Sequence, residues 1–416
     1  MERMNKMKRK VLSYILVMVI AFALVGCGAE SSNENQKDNI QGTTNLENVG
    51  SADTSTQEKT EEPTKEPVKE VVVGKSITTV EDGCTYYVAE TDTTLEAGAE
   101  IPAPSVDDKY ETTDYIYTYG YKKNEDGWRV KVKDKTKESY EELAYSIGGS
   151  ELKYMNETFY ECWKLSEAPS IPSGVVMMKS AFGECKIAKA PAIPEGVTDL
   201  EFTFARCLNL VDVPTIPSTV TNMKSTFAGC TKLSEAPVIP EGVTNMKGTF
   251  AQCKKLTKAP SIPSTVTNMD STFEGCIALV EAPVIPEGVT NMEYTFGDCY
   301  SLAEAPTIPS TVTNMRGTFY TCESLIKAPM IPEGVTDMNS TFTDCSNLTE
   351  VSTIPSSVKS MKSTFVGCTS LTGVIEINAN PNEYNVCFRD VNFTEQNLTL
   401  TGSSEKLEEL IATGIK

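Results

Sequence analysis

Ten cysteines fall at positions 162, 185, 207, 230, 253, 276, 299, 322, 345 and 368, separated by eight intervals of 23 residues and one of 22. Thiols can pair as disulfides, hold a metal or attack a substrate, and this spacing argues against all three. Cysteines in register on stacked coils have Cα atoms about 5 Å apart, but their Cβ vectors run parallel rather than towards one another. Zinc sites need clustered ligands such as CxxC or nearby histidine, and the chain contains no histidine. That absence also removes Ser/His and Cys/His nucleophile pairs and the commonest general base. No GxxxxGK and no dinucleotide-binding glycine loop is present. Two carboxylates suffice for glycoside hydrolysis, yet no pair stands out among 57 acidic residues. The series is expected to consist of buried thiols acting as small apolar groups and donating weakly to backbone carbonyls. Cys84 and Cys387 lie outside it. The chain is read as a non-enzyme, with no cofactor or metal.

What positions the cysteines is a repeat. One unit runs Cys230, Leu233, Ala236, Pro237, Ile239, Pro240, Val243, Asn245, Met246, Thr249 and Phe250, and Cys253 starts the next. Apolar residues recur at fixed phases while the positions between them vary, so the fixed set is the inside of a coil. A single coil cannot hide its apolar side, and stability must come from stacking. The fold class is therefore a repeat solenoid of about ten 23-residue coils over 151–371. Short parallel strands are expected at Leu233–Ile239 and equivalents. Asn222, Asn245, Asn268, Asn291 and Asn314, with Asp199 and Asp337, are expected to accept backbone hydrogen bonds at a corner, and 249–252 to form a helical or 3₁₀ turn.

Coils alternate between an Ile-Pro-Ser turn (Ser218, Ser264, Ser310) and an Ile-Pro-Glu-Gly turn, which points to duplication of a 46-residue unit. Glu195, Glu241, Glu287 and Glu333 then stand in a row about 10 Å apart, twice the strand spacing. Such a row can bind cations or a basic ligand; a merely solvated edge is the favoured alternative. A second column, two residues after each Leu, mixes Glu and Lys, which relieves like-charge stacking.

Before the coils, 73–150 reads as a small β-rich module. Tyr115, Tyr117, Tyr119 and Tyr121 alternate before an Asp-Gly turn, followed by Trp128, Val130 and Val132, the pattern of a hairpin. An aromatic row can stack on sugar rings, although such a face is more often the inside of the hairpin. Ser139–Ile147 has the spacing of a short capping helix with Ser139 and Glu142 as a capping box. After the coils, 372–416 reads as a C-terminal cap with strands near 374–377 and 398–400 and a helix over 405–412.

The N-terminus is an address. Arg3, Lys6, Lys8, Arg9 and Lys10 precede an apolar run from Val11 to Val25, which ends in Leu24-Val25-Gly26-Cys27. This resembles the lipobox of bacterial lipoproteins, with 1–26 as signal peptide. The resemblance implies that Cys27 is lipidated and becomes the new N-terminus, an anchor to the cell membrane. Residues 28–72 are polar and almost free of aromatics, a composition that cannot bury enough surface to fold; 27–72 are thus the lipidated Cys and a tether with a reach of about 35 to 40 Å. Removing the signal's five basic residues and one acidic residue leaves 32 basic against 56 acidic, a net charge near −24. Such a surface repels phosphate backbones, so nucleic acid is not expected as a partner.

The pattern CxxL, then IPxxV, then Met and FxxC over 152–371 resembles the leucine-rich repeats of BspA-like bacterial surface proteins. It departs from the commoner form by Pro237 and its equivalents, and by Met four residues before Phe. The resemblance implies a leucine-rich-repeat-like solenoid at the cell surface that acts as a binding or adhesion module for an extracellular protein or glycan. The competing readings are a structural envelope spacer and a carbohydrate-binding protein using the tyrosine hairpin.

Overall fold

The computed structural model describes residues 74–120, 126–393 and 397–414. The signal peptide, Cys27, the tether and Tyr121 lie outside the described residues.

The first part is a sheet of eight strands: β1 (Ser76–Ile77), β2 (Thr85–Val88), β3 (Thr93–Leu95), β4 (Lys109–Glu111), β5 (Tyr115–Tyr119), β6 (Trp128–Val132), β7 (Ser146–Ile147) and β8 (Ser150–Tyr154), in the order β1-β7-β8-β6-β5-β4-β2-β3. The expected hairpin is present, with β5 antiparallel to β6 and Tyr117 opposite Val130. Register then sets Tyr86 beside Tyr110 and Tyr110 beside Tyr117, so one face of the sheet carries a row of buried rings. Trp128 packs edge-on to Tyr86 and Tyr119 and donates its indole N–H to the Ile147 carbonyl at 2.9 Å.

The capping helix over 139–147 is not formed. Its backbone is committed to the module instead. The Glu141 N–H donates to the Asp114 carboxylate at 2.8 Å, the Glu141 carbonyl accepts from the Tyr115 hydroxyl at 2.6 Å, and the Ala144 N–H donates to the Tyr117 oxygen at 3.1 Å. Ser146 and Ile147 pair with β1 and with β8, and Gly148 and Gly149 turn the chain between β7 and β8 at φ 56° and 77°. Tertiary partners override a local helical pattern that has only a weak intrinsic preference behind it.

β8 leads directly into the coils. Tyr154 bridges Met177 in parallel, and the ladder continues through Asp199, Asn222, Asn245, Asn268, Asn291, Asn314, Asp337 and Ser360 to Glu383. The continuous ladder thus runs along the asparagine column. At Leu233–Ile239, where strands were expected, no strand forms, and equivalent positions make only scattered bridges such as Lys258 to Glu281. Pro237 and Pro240 explain the difference, because neither has an N–H to donate to a ladder.

Each Asn is an accepting corner as expected. Asn245 Oδ1 accepts the N–H of Lys247 at 3.1 Å, and Asp199 and Asp337 do the same for Glu201 and Asn339 at 2.8 Å. The segment around Phe250 is a run of tight turns with bonds from Thr249 N to Met246 O, Ala251 N to Gly248 O and Cys253 N to Phe250 O.

Inside the coils, Leu, Val, Met, Phe and Cys columns are buried from end to end. The phenylalanines stack without interruption from Phe159 to Phe388, centroids 5.0 to 5.8 Å apart and planes within 19°. Full burial of each such side chain stabilises by roughly 1.5 to 3 kcal/mol. The buried Thr column is satisfied: Thr249 Oγ1 lies 2.9 Å from the Met223 carbonyl and 2.8 Å from that of Met246.

The far end is closed by β9 (Gly373–Glu376) parallel to β10 (Leu398–Thr401), and by α1 (Leu407–Ala412), whose Leu410 is buried. The helix begins two residues later than expected, at Leu407.

Candidate binding surface

The cysteines are enclosed in the stack. From Cys185 to Cys368 each Sγ donates to the carbonyl of the Phe column one coil earlier, at 3.0 to 3.2 Å. None of the described cysteines is in a disulfide. Burial pushes their thiols upward, Cys207 and Cys387 to about 12 and Cys230, Cys253, Cys299, Cys322 and Cys368 well above the ordinary range. A thiol held protonated is neither a nucleophile nor a metal ligand. Among the described residues no group of three or more acidic or cysteine side chains converges on a point where a metal ion would sit.

The glutamate row stands at outward positions. Glu195, Glu241, Glu287 and Glu333 are all exposed. Glu241 accepts from Ser264 Oγ at 3.3 Å, and its backbone carbonyl accepts from Thr265 Oγ1 at 3.0 Å. None of the four takes part in an ion pair among the described residues. Other charged columns are compensated from coil to coil. Glu201 lies 2.9 Å from both Lys179 and Lys224, Lys247 lies 2.7 Å from Asp270, and Lys327 lies 2.9 Å from Glu350. Burial raises the Glu201 carboxyl, but the hydrogen bonds from Lys179 and Lys224 outweigh it and hold the group below the usual range.

Beside the glutamate row runs an apolar one that the sequence reading missed. Val238, Val284 and Met330 are 86, 87 and 81% exposed, the most exposed large apolar side chains among the described residues. Each stands three residues before Glu241, Glu287 or Glu333, and exposed Ala192 holds the same place before Glu195. In the alternate coils that position is Thr215, Ser261 or Thr307, also exposed. Its signal in the sequence is the 46-residue alternation, which reaches this position as well as the turn.

The tyrosine row is a correction. Tyr115 and Tyr117 are buried, at 0 and 1% exposure, and Tyr119 is half-buried against Trp128. They do not form a sugar platform, because this side of the hairpin is the inside of the module; burial, the largest cause, also raises the Tyr115 and Tyr117 hydroxyls.

Parallel stacking of turn-rich coils over Leu, Val, Met, Phe and Cys columns defines a leucine-rich-repeat solenoid. The family model for the BspA type leucine rich repeat region matches in six copies across residues 153–280 and 269–394, more than half of the chain, and the chain belongs to that family. Among solved structures it is similar to a leucine-rich repeat protein from Bacteroides ovatus, with 21% identity over 70% of this chain and 90% of that one and a TM-score of 0.46. It is also similar to a leucine rich cell surface protein from Faecalibacterium prausnitzii, with 18% identity, 74% and 98% coverage and a TM-score of 0.39. The pneumococcal vaccine antigen PcpA matches with 13% identity, 74% and 97% coverage and a TM-score of 0.37. No curated protein matches the chain.

Proposed function

We propose that this chain is a lipid-anchored protein at the outer face of the cell membrane whose solenoid binds an extracellular protein, an adhesion role. The observation that carries the reading is membership of the BspA-type repeat family, combined with a rigid stack whose chemical variety lies wholly in its outward columns. A stack of this kind is suited to binding because its outward side chains are held on a fixed backbone lattice, so little ordering entropy is lost on association. The anchor rests on the Leu24-Val25-Gly26-Cys27 sequence, and the tether over 28–72 would lift the folded part from the bilayer.

Two measurements test the proposal. Radiolabelled fatty acid should be incorporated into the expressed chain and lost in Cys27→Ser; incorporation that persists in the variant would remove the anchor. Purified protein should bind saturably to at least one member of a panel of extracellular-matrix proteins and bacterial surface fractions. A folded sample that retains none of them would leave the structural spacer as the better reading.

A further inference from the structure

The strongest unexplained feature of the surface is the pair of parallel rows formed by Val238, Val284 and Met330 on one side and Glu241, Glu287 and Glu333 on the other. Large apolar side chains more than four-fifths exposed are costly to leave in water, and here three of them recur at 46-residue intervals on a rigid lattice. Between them stand hydroxyl residues, Ser261 and Thr307, at the equivalent position. Beside Ser261 lies a groove of about 260 Å³ between two coils, bounded by Pro260, Ser261, Pro283 and Val284. Its rim carries Lys258 and Glu281, of opposite sign, so the net field along the surface is set by the glutamate row.

Among the described residues that row has no ion-pair partner, whereas Glu201, Asp270 and Glu350 elsewhere are each matched by a lysine one coil away. The chain as a whole has a net charge of −20. An acidic partner, an anionic membrane surface or a second copy of this chain would meet repulsion along the row. A basic polypeptide would not.

Spacing narrows the partner further. Residues two coils apart are about 10 Å apart, twice the distance between adjacent strands. A polyproline II segment places every third residue on the same side at about 9.3 Å, three residues of about 3.1 Å rise. An extended strand does not, because its third residue points to the opposite face.

We propose that the double row is the docking surface for an extended, basic segment of a protein partner, lying along the solenoid axis with an apolar and a cationic side chain in each triplet. This rests on the protein-binding reading above and assigns the surface that does it. Apolar side chains of the partner lie along Val238, Val284 and Met330, one of them entering the groove beside Val284, and its lysines or arginines meet Glu241, Glu287 and Glu333.

The test uses the full chain and a synthetic repeating Pro-Lys-Val peptide of about 18 residues, which spans about 55 Å in polyproline II form. Titration calorimetry should show saturable binding that weakens as salt rises, and a peptide of the same composition in scrambled order should bind at least about tenfold more weakly. Two triple variants, Glu241→Gln/Glu287→Gln/Glu333→Gln and Val238→Ser/Val284→Ser/Met330→Ser, should keep the thermal midpoint of the parent, since all six positions are exposed. Each should lose about tenfold or more in affinity, and only the first should flatten the salt dependence. Equal binding of ordered and scrambled peptides, absence of peptide binding, or parental affinity in both variants would overturn the assignment. Saturable capture of a matrix protein that survives both triple changes would leave the protein-binding reading standing and remove only this surface.

Discussion

The thiol of Cys276 donates to the carbonyl of Phe250, 3.2 Å away on the preceding coil, and the Phe250 ring stacks on Phe273 at 5.8 Å. Two columns that look independent along the chain thus satisfy one another across each coil boundary. The Phe250 carbonyl also accepts the Cys253 N–H at 3.0 Å, so the thiol fills space and adds a second bond to an acceptor with two lone pairs. Thiol reagents should accordingly leave Cys162 to Cys368 unmodified in the folded protein and react fully only after denaturation. Rapid labelling of several of them under native conditions would contradict the enclosed stack.

Alkaline pH should unfold the protein steeply. Eleven cysteines from Cys162 to Cys387 have thiols raised above 9.0 by burial. A raised folded-state value means that the unfolded chain loses its protons first. The stabilisation is complete below about 9 and is lost as pH rises from there towards the folded values, by about 1.4 kcal/mol per thiol for each pH unit. Circular dichroism against pH should show a cooperative loss above pH 9. Replacing three central cysteines with Ala should make that loss shallower even though the variant is less stable at neutral pH.

Phe273→Ala should cost about 3 to 5 kcal/mol, the range for emptying a well-packed aromatic site. The ring contacts both Phe250 and Phe296 at 5.8 Å, so the cavity separates two half-stacks that otherwise support one another. Because each coil leans only on its neighbours, denaturation of the variant should lose its two-state character and resolve into the halves on either side. A single sharp transition of parental midpoint would show that the ring column contributes little.

Asn245→Ala should destabilise by about 1 kcal/mol, the usual worth of one such hydrogen bond, because the Lys247 N–H loses its acceptor at 3.1 Å. Asn245→Asp should be close to neutral, since Asp199 and Asp337 fill the same corner with the same bond to the residue two ahead. Urea denaturation of the two variants compares them directly, and an Asp variant as unstable as the Ala one would refute the corner's proposed role.

Tyr117→Ala should lower stability by about 3 kcal/mol or more, through loss of a buried ring and of the acceptor for the Ala144 N–H at 3.1 Å. A change that left thermal stability intact while abolishing retention on glycan resins would restore the sugar-platform reading of the hairpin.

The chain itself determined the solenoid. Cys, Leu, Val, Met and Phe at a strict 23-residue phase admit only a stack in which like meets like, and the asparagine corners follow from a side chain that can accept the N–H two residues on. The hairpin, the buried thiols and the terminal strands were legible for the same local reasons. Tertiary structure decided which segment carries the parallel ladder, because the choice turns on where backbone N–H groups remain free of proline, and Pro237 and Pro240 moved it to the asparagine column. It also decided that 139–147 would not be helical, since Asp114, Tyr115 and Tyr117 claim the backbone groups a helix needs. The apolar row of Val238, Val284 and Met330 was written in the repeat, but a buried Ile and an exposed Val one residue apart look alike in sequence. Only the direction of each side chain in the folded coil separates Val238, 86% exposed, from Ile239, 6% exposed.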